Sequence, residues 1–192
     1  MNWAKMKWTD KIKNIYTLFI CYAICGWLFE LIIWIFKENQ IMNRGFLFGP
    51  WLPIYGFGGL LIYKFVYPKS KEPLIVKGKD IRPWTIFLLI AVSATVVEFV
   101  STYILDLTGV GFLSLWDYSE YNINFQSRIA LIPAIQFGIL GNAIIYLAQP
   151  KIEKFINSDS LWKYVLMLLF TADLIIHIFT GSTYTDVPIL LL

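Results

Sequence analysis

Five apolar stretches, each about long enough to cross a lipid bilayer, set the strongest limit on how this chain folds. They are residues 15–36, 46–67, 84–107, 129–148 and 161–180. A hydrocarbon core about 30 Å thick is crossed by about 20 residues of helix, and helices satisfy their own backbone hydrogen bonds there. Of the 192 residues, 58% are hydrophobic and 15% are charged, whereas a soluble domain carries about 25% charged residues. The sequence predicts an all-α polytopic membrane protein, a single membrane domain with five transmembrane helices.

The basic residues indicate how these helices are oriented. Lysine and arginine concentrate before the first stretch, between the second and third, and between the fourth and fifth. With five spans these regions share one side, which the positive-inside rule assigns to the cytoplasm. The N-terminus is then inside, and the C-terminus and the loop 109–128 are outside. The net charge of +3 reflects topology and does not indicate a nucleic-acid partner.

The second stretch is unlike the other four because glycine and proline interrupt it. The interrupting residues are Gly45, Gly49, Pro50, Pro53, Gly56, Gly58 and Gly59. Proline removes a backbone donor and clashes with the preceding helical turn, so the first half of this span is predicted to be kinked or unwound. Unwound backbone at membrane depth persists only where protein buries it or where it lines a wet cavity.

Three acidic residues, Glu30, Glu98 and Asp173, lie inside predicted spans. A charge at the bilayer centre costs at least about 2.5–3.5 kcal/mol on insertion scales, so such residues face protein or water and commonly mark a function. With the predicted topology, all three fall in the outer halves of their helices. His177, the only histidine, is interpreted as a partner of Asp173 rather than a metal ligand.

These residues predict a polar cavity that opens to the outer side and binds a small solute or cation. Arg44 and Arg128 end the two outer loops, where a guanidinium can pair with a buried carboxylate. The loop 109–128 is rich in aromatic residues and has two interpretations: an interfacial loop, or a lid with Asp117 and Asn124 pointing inward. The predicted binding residues are Glu30, Asn43, Arg44, Tyr55, Glu98, Asp117, Tyr118, Asn124 and Arg128, with Asp173 and His177 as a secondary polar pair. No catalytic residue, metal or cofactor is predicted.

An internal repeat is a further hypothesis. Glu30 is followed by Asn43-Arg44 and a helix, and Glu98 by Asn124, Arg128 and a helix. Both hairpins begin on the predicted inner side, so a duplication would be of the parallel kind.

Several segments of the chain form recognisable motifs. They are GWLFE from Gly26 to Glu30, NRGFLFGPWLPIYGFG from Asn43 to Gly58, Glu98, WDYS from Trp116 to Ser119, and NINFQSRI from Asn122 to Ile129. With these motifs the chain resembles a bacterial membrane family, the ABC-transporter permeases of the CmpB type. Where the family pattern has a glycine before the arginine, this chain has Ser127, which bears on the backbone geometry of that turn. The resemblance covers roughly the first 150 residues. It implies a permease in the bacterial cytoplasmic membrane and specifies no substrate.

Three functions remain open from the sequence. The first is a transporter subunit whose Glu30 and Glu98 bind a cation, a proton or a cationic solute. The chain has no GxxxxGK[ST] loop, so an ATPase would be a separate chain docking on the cytoplasmic segment 67–83, and five spans suggest a homodimer. The second is an enzyme acting on lipid-linked substrates at the outer leaflet, and the third is a non-catalytic assembly or regulatory partner of another membrane protein.

Overall fold

The computed structural model of the chain describes residues 6–38, 41–42, 45, 47–107, 109, 111, 117–158, 160–180 and 188–190. Asn43 and Arg44, two of the predicted binding residues, lie outside the described residues, so their roles stay predictions.

Helices make up most of the described chain. They are α1 Trp8–Glu38, α2 Pro53–Phe65, α3 Tyr67–Ser70, α4 Arg82–Leu107, α5 Leu131–Ala143, α6 Gln149–Ile156 and α7 Leu161–Thr180. A π-helical turn, Ile144–Ala148, joins α5 to α6. The strands are β1 Ile41–Met42, β2 Ile75–Val76, β3 Lys79–Asp80, β4 Asn124–Phe125, β5 Ile129–Ala130 and β6 Pro188–Leu190. They pair antiparallel as β1 with β6, β2 with β3, and β4 with β5.

Four helical stretches within the described residues are long and apolar enough to cross a membrane. They are Trp8–Phe36, Arg82–Leu107, Leu131–Ile156 and Leu161–Thr180. The predicted second span differs, because its helix α2 has only 13 residues, about 20 Å at 1.5 Å per residue. Residues 47–52 before it are not helical, in line with the Gly and Pro residues there. The structure thus supports a multi-pass helical protein, while the count of five spans and the orientation of the termini stay predictions.

The chain divides into two compact units. The first unit comprises Met1–Leu61 and Ala148–Leu192, and the second comprises Ile62–Leu147. The core of the first unit contains Phe19, Ile20, Ala23, Leu47, Trp51 and Phe170. The core of the second contains Val66, Ile86, Ile90 and Ile145.

Each unit packs glycines of one helix against a large side chain of another. In the first unit, a Cβ on Gly56 would lie 2.6 Å from the Phe19 ring, and a Cβ on Gly59 would overlap the Tyr22 ring. Small residues allow membrane helices this close approach, because lipid chains are as apolar as the helix surfaces and packing supplies much of the attraction.

The second unit repeats this arrangement. A Cβ on Gly138 would lie 2.6 Å from the Phe87 ring, and a Cβ on Gly141 would lie 2.5 Å from Ile90. The same number of residues separates Phe19 from Glu30 as separates Phe87 from Glu98. The shared separation of aromatic residue and glutamate, and the packing of each ring on a glycine of a following helix, support the internal repeat that the sequence suggests.

Glycines in α2 allow a matched test of this packing. We expect Gly56→Ala to destabilise the protein by about 1–3 kcal/mol, because its methyl group would overlap Phe19 and overpacking a core costs that much. Gly58→Ala is the control, since a Cβ there meets no described atom within 4 Å, and alanine is the better helix former by about 1 kcal/mol. Thermal unfolding of both variants in detergent measures the effect. Equal stability of the two variants would contradict the close approach of α1 and α2.

Candidate functional site

The most completely bonded acidic residue of the first unit is Asp173, in the middle of α7. It is 7% exposed, and both of its carboxylate oxygens accept hydrogen bonds from the segment before α2. The backbone N–H of Phe48 donates to Oδ1 at 3.1 Å, and that of Gly49 to Oδ2 at 2.8 Å. The indole Nε1–H of Trp51 also donates to Oδ2, at 2.7 Å. Three donors compensate the desolvation of this carboxylate.

These bonds explain how the unwound segment persists inside an apolar protein. Pro50 and Pro53 have no backbone N–H, so the segment between Phe48 and Pro53 has only four such donors to satisfy. Asp173 accepts two of them, the N–H of Trp51 donates to the Gly49 carbonyl at 2.9 Å, and the N–H of Leu52 donates to the Ala23 carbonyl at 3.1 Å. Every donor of the segment is thereby bonded within the protein, as membrane depth requires.

The structure gives Asp173 partners that the sequence did not suggest. Three donors to Asp173 come from residues 48–51, and the pairing of Asp173 with His177 stays a prediction. Trp51 was not among the predicted residues, because a tryptophan in an apolar stretch is read as lipid-facing or interfacial. Its 5% exposure and its edge-to-face contact with Phe170, at 5.6 Å between ring centroids, place it in the core instead.

Glu30, on α1 of the first unit, is bonded to a second predicted residue, Tyr55. The hydroxyl of Tyr55 donates a short hydrogen bond to Oε1 of Glu30. Gly26, one turn before Glu30, makes room for this contact, because a Cβ there would overlap the Tyr55 ring. Tyr55 lies in the first turn of α2, directly after the segment that Asp173 holds.

Glu98, on α4 of the second unit, has the same type of partner. The hydroxyl of Tyr118 donates to Oε1 of Glu98 at 2.6 Å. The loop holds Tyr118 in place, since its backbone N–H donates to the Ser127 carbonyl at 3.0 Å and its ring contacts Tyr121 edge-on. Each unit therefore places a tyrosine hydroxyl on the glutamate of its first long helix. Whether Glu30 and Glu98 share one cavity stays a prediction.

Arg128 anchors the end of the same loop. Its Nη2 lies 2.7 Å from Oδ2 of Asp106, and its guanidinium lies 4.4 Å from the centroid of the Tyr103 ring. The structure thus pairs Arg128 with Asp106, at the end of α4, and the pairing of Arg128 with a glutamate that the sequence suggested stays a prediction. Stacking and pairing of this kind suit the flat, weakly hydrated guanidinium.

Asp117 and Asn124 shape the loop locally. The Asp117 carboxylate accepts hydrogen bonds from the backbone N–H and the hydroxyl of Ser119. Asn124 donates to the Tyr121 carbonyl at 2.7 Å and accepts from the Ser127 N–H at 3.1 Å. Both residues are exposed. Their side chains bond to nearby groups in turns of the loop, as those of Asp and Asn commonly do. A role for them in a lid stays a prediction.

Ser127 adopts the backbone conformation that the family pattern implies for this position. Its φ is +58°, in the left-handed region that glycine enters without steric cost and other residues enter at about 1–2 kcal/mol. A glycine at this position of the pattern is therefore explained by the turn that places Arg128 beside Asp106.

Long apolar helices, buried polar residues that bond to one another, and an unwound segment satisfied within the protein define a multi-pass α-helical membrane protein. The chain belongs to the CmpB family of ABC-transporter-type membrane proteins, whose family model, described as "Putative ABC-transporter type IV", matches residues 17–179. Comparison with curated proteins and with solved structures finds no match.

The role of Asp173 can be tested by removing its charge. We expect Asp173→Asn to lower the free energy of unfolding by about 3 kcal/mol, because the amide group keeps one acceptor oxygen and turns an N–H toward buried donors. Thr171→Val, on the same helix, is the control, since it removes two neutral hydrogen bonds, one with Tyr16 at 2.7 Å and one to the Met167 carbonyl at 2.6 Å, worth about 1 kcal/mol each. Thermal unfolding in detergent compares them, and a smaller loss for Asp173→Asn than for Thr171→Val would refute the anchoring role.

Proposed function

We propose that this chain is the membrane-spanning subunit of an ABC-type transporter, and that Glu30 and Glu98 each provide a binding position for a cationic group of a small solute. Membership of the CmpB family supports the transporter class. The observation that supports the binding role is the pair of tyrosine-bonded glutamates, one in each unit, on helices that are long and apolar enough to span a membrane.

The chemistry of a carboxylate bonded to tyrosine suits a cation. An ionised carboxylate has about four acceptor positions, and the tyrosine hydroxyl occupies one of them while holding the side chain in place. A carboxylate also accepts an ammonium N–H through charge-assisted hydrogen bonds, which are stronger than neutral ones. Glu30 and Glu98 are each partly exposed, so a solute can reach them without unfolding the helix.

The unwound segment gives the Glu30 site a means of responding to the rest of the first unit. Tyr55 lies in the first turn of α2, which begins directly after residues 47–52, and that segment is bonded to Asp173 of α7 and to Ala23 of α1. A shift of α7 relative to α1 would therefore move Tyr55, whose hydroxyl donates a hydrogen bond to Glu30. Transporters commonly place discontinuous helices at their binding sites, and this connection supports the same arrangement here.

The sequence has no GxxxxGK[ST] phosphate-binding loop. ATP hydrolysis would therefore be carried out by a separate protein that docks on this chain. The candidate docking segment, 67–83, contains α3 and the β2–β3 hairpin. Its apolar residues Ile75 and Val76 are 58% and 44% exposed, and Lys77 turns the chain with a φ of +50°. Arg82 bonds to Asp80 and lowers the pKa of that carboxyl group, so the end of the hairpin stays charged. Exposed apolar residues of β2 next to the lysines of the hairpin support docking of a protein partner, on the side predicted to be cytoplasmic. A homodimer remains a further prediction.

Cation binding can be tested without knowing the natural solute. Ethanolamine, choline, putrescine and sodium, at equal ionic strength, serve as probes of the purified protein in nanodiscs. At tenfold the dissociation constant, a bound cation stabilises the folded state by about 1.4 kcal/mol, which raises the Tm of a chain of this size by about 3–6 °C. We expect at least one probe to do so in the wild type.

The variants Glu30→Gln and Glu98→Gln should lose this stabilisation, because an amide does not pair with a cation. Glu72→Gln, which removes an exposed carboxylate between the predicted spans, should keep it. If no probe stabilises the wild type, or if the three variants respond alike, the proposed role of the two glutamates is wrong.

The docking hairpin is tested by co-purification. We expect Ile75→Asp to reduce the ATPase recovered with the tagged chain at least fivefold, because a desolvated charge replaces an exposed apolar contact. Ile75→Val keeps the apolar surface and should recover the ATPase at the wild-type level. Recovery that is equal in both variants would exclude the hairpin tip as the docking site.

A further inference from the structure

The first unit has a polar cavity that none of the residues discussed so far lines. Its volume is about 310 Å³, and it lies between the first turns of α1, the end of α6 and the first turns of α7. Its polar lining from α1 comprises Asp10, Lys13, Asn14 and Thr17. Asn14 and Thr17 are 8% and 1% exposed, so the cavity has a buried polar floor. Lys163 of α7 lines the opposite side.

The charged groups of the cavity favour an anion. Two lysines, Lys13 and Lys163, and one acidic residue, Asp10, line the cavity. Asp10 lies 3.6 Å from Lys13 in a half-exposed pair, which is worth little in solvent. Lys163 donates to the Ile156 carbonyl at 2.9 Å, which leaves two further N–H donors on the same nitrogen. The lysines come from different helices, so an anion between them would contact both α1 and α7.

Exposed tryptophans place the cavity at the depth of lipid headgroups. Trp8, which begins α1 two residues before the lining residue Asp10, is 74% exposed, and Trp162, next to Lys163, is 69% exposed. Tryptophan with this exposure at the ends of membrane helices is typical of the interface between headgroups and acyl chains. Tyr164, which lines the cavity, lies one turn before Leu168, which is 69% exposed. The cavity is thus continuous with an apolar surface along α7 that acyl chains can cover.

We propose that this cavity binds the phosphate headgroup of an anionic phospholipid, such as phosphatidylglycerol, in the leaflet that faces the predicted cytoplasmic side. Basic pockets between membrane helices on that side are the usual sites for anionic headgroups. A free phosphate would use the same lysines but would gain nothing from the apolar face of α7. The bound lipid would link α1 to α7, the two helices that also hold the unwound segment.

The experiment measures binding to the whole purified chain in detergent. Phosphatidylglycerol, phosphatidylcholine, glycerol 3-phosphate and inorganic phosphate are added separately, and Tm and lipid retention in native mass spectrometry are recorded. We expect phosphatidylglycerol to raise Tm and to be retained, phosphatidylcholine to do so less, and the two soluble phosphates to have no effect at equal concentration.

Charge variants then locate the site. Lys13→Gln and the double variant Lys13→Gln/Lys163→Gln should bind phosphatidylglycerol about fivefold more weakly per lysine. The matched control is Lys151→Gln/Lys154→Gln, which removes two exposed lysines of α6 that do not line the cavity, and it should bind like the wild type. The double variant also removes the Lys163 bond to the Ile156 carbonyl. If that loss prevents folding, the single variant Lys13→Gln still tests the site.

Three results would overturn the proposal. They are equal stabilisation by phosphatidylglycerol and phosphatidylcholine, stabilisation by inorganic phosphate as large as that by the lipid, and equal loss of binding in the cavity and control variants. The proposed transport function does not depend on this site, because the cation assay on Glu30 and Glu98 uses different residues and different probes.

Discussion

Backbone N–H groups need hydrogen-bond acceptors when they are removed from water. In the first unit this requirement determines which residues are bonded to one another. Glycine and proline prevent residues 47–52 from forming a helix, and a segment without helical bonds must find its acceptors elsewhere in the protein. Asp173 supplies two of them and α1 supplies another through the Ala23 carbonyl. A buried carboxylate is costly by itself, and the unbonded segment would be costly as well. Each compensates the other, so the position of α7 and the start of α2 depend on the same bonds.

That anchoring determines where the predicted binding residues lie. Tyr55 reaches Glu30 because α2 begins at Pro53, directly after the anchored segment, and because Gly26 leaves room for the tyrosine ring. In the second unit, a structured loop does the same for Tyr118 and Glu98. The same contact between a tyrosine hydroxyl and a glutamate thus forms in both units. In the first it depends on where α2 begins, and in the second it depends on a turn in which Ser127 is left-handed.

The resemblance between the units extends to their packing. Phe19 and Phe87 each cover a glycine of a following helix, and each precedes a glutamate at the same separation. Packing of a ring on a glycine depends on side-chain size and register. The loop 109–128 of the second unit ends with Arg128 beside Asp106 and Tyr103. The shared packing supports the hypothesis of an internal repeat, which stays a prediction.

The sequence by itself determined the class of protein, the place of four membrane-crossing helices, the interruption before α2 and the family, because these depend on residue types summed along the chain. Only the tertiary structure revealed three further features: the bond of Trp51 to Asp173, the ion pair of Arg128 with Asp106, and a polar cavity lined by Lys13 and Lys163. Hydrogen bonds between distant residues require the rotation and register of each helix to be known. In a membrane protein the lipid-facing and protein-facing sides are both apolar, so hydropathy leaves that rotation undetermined.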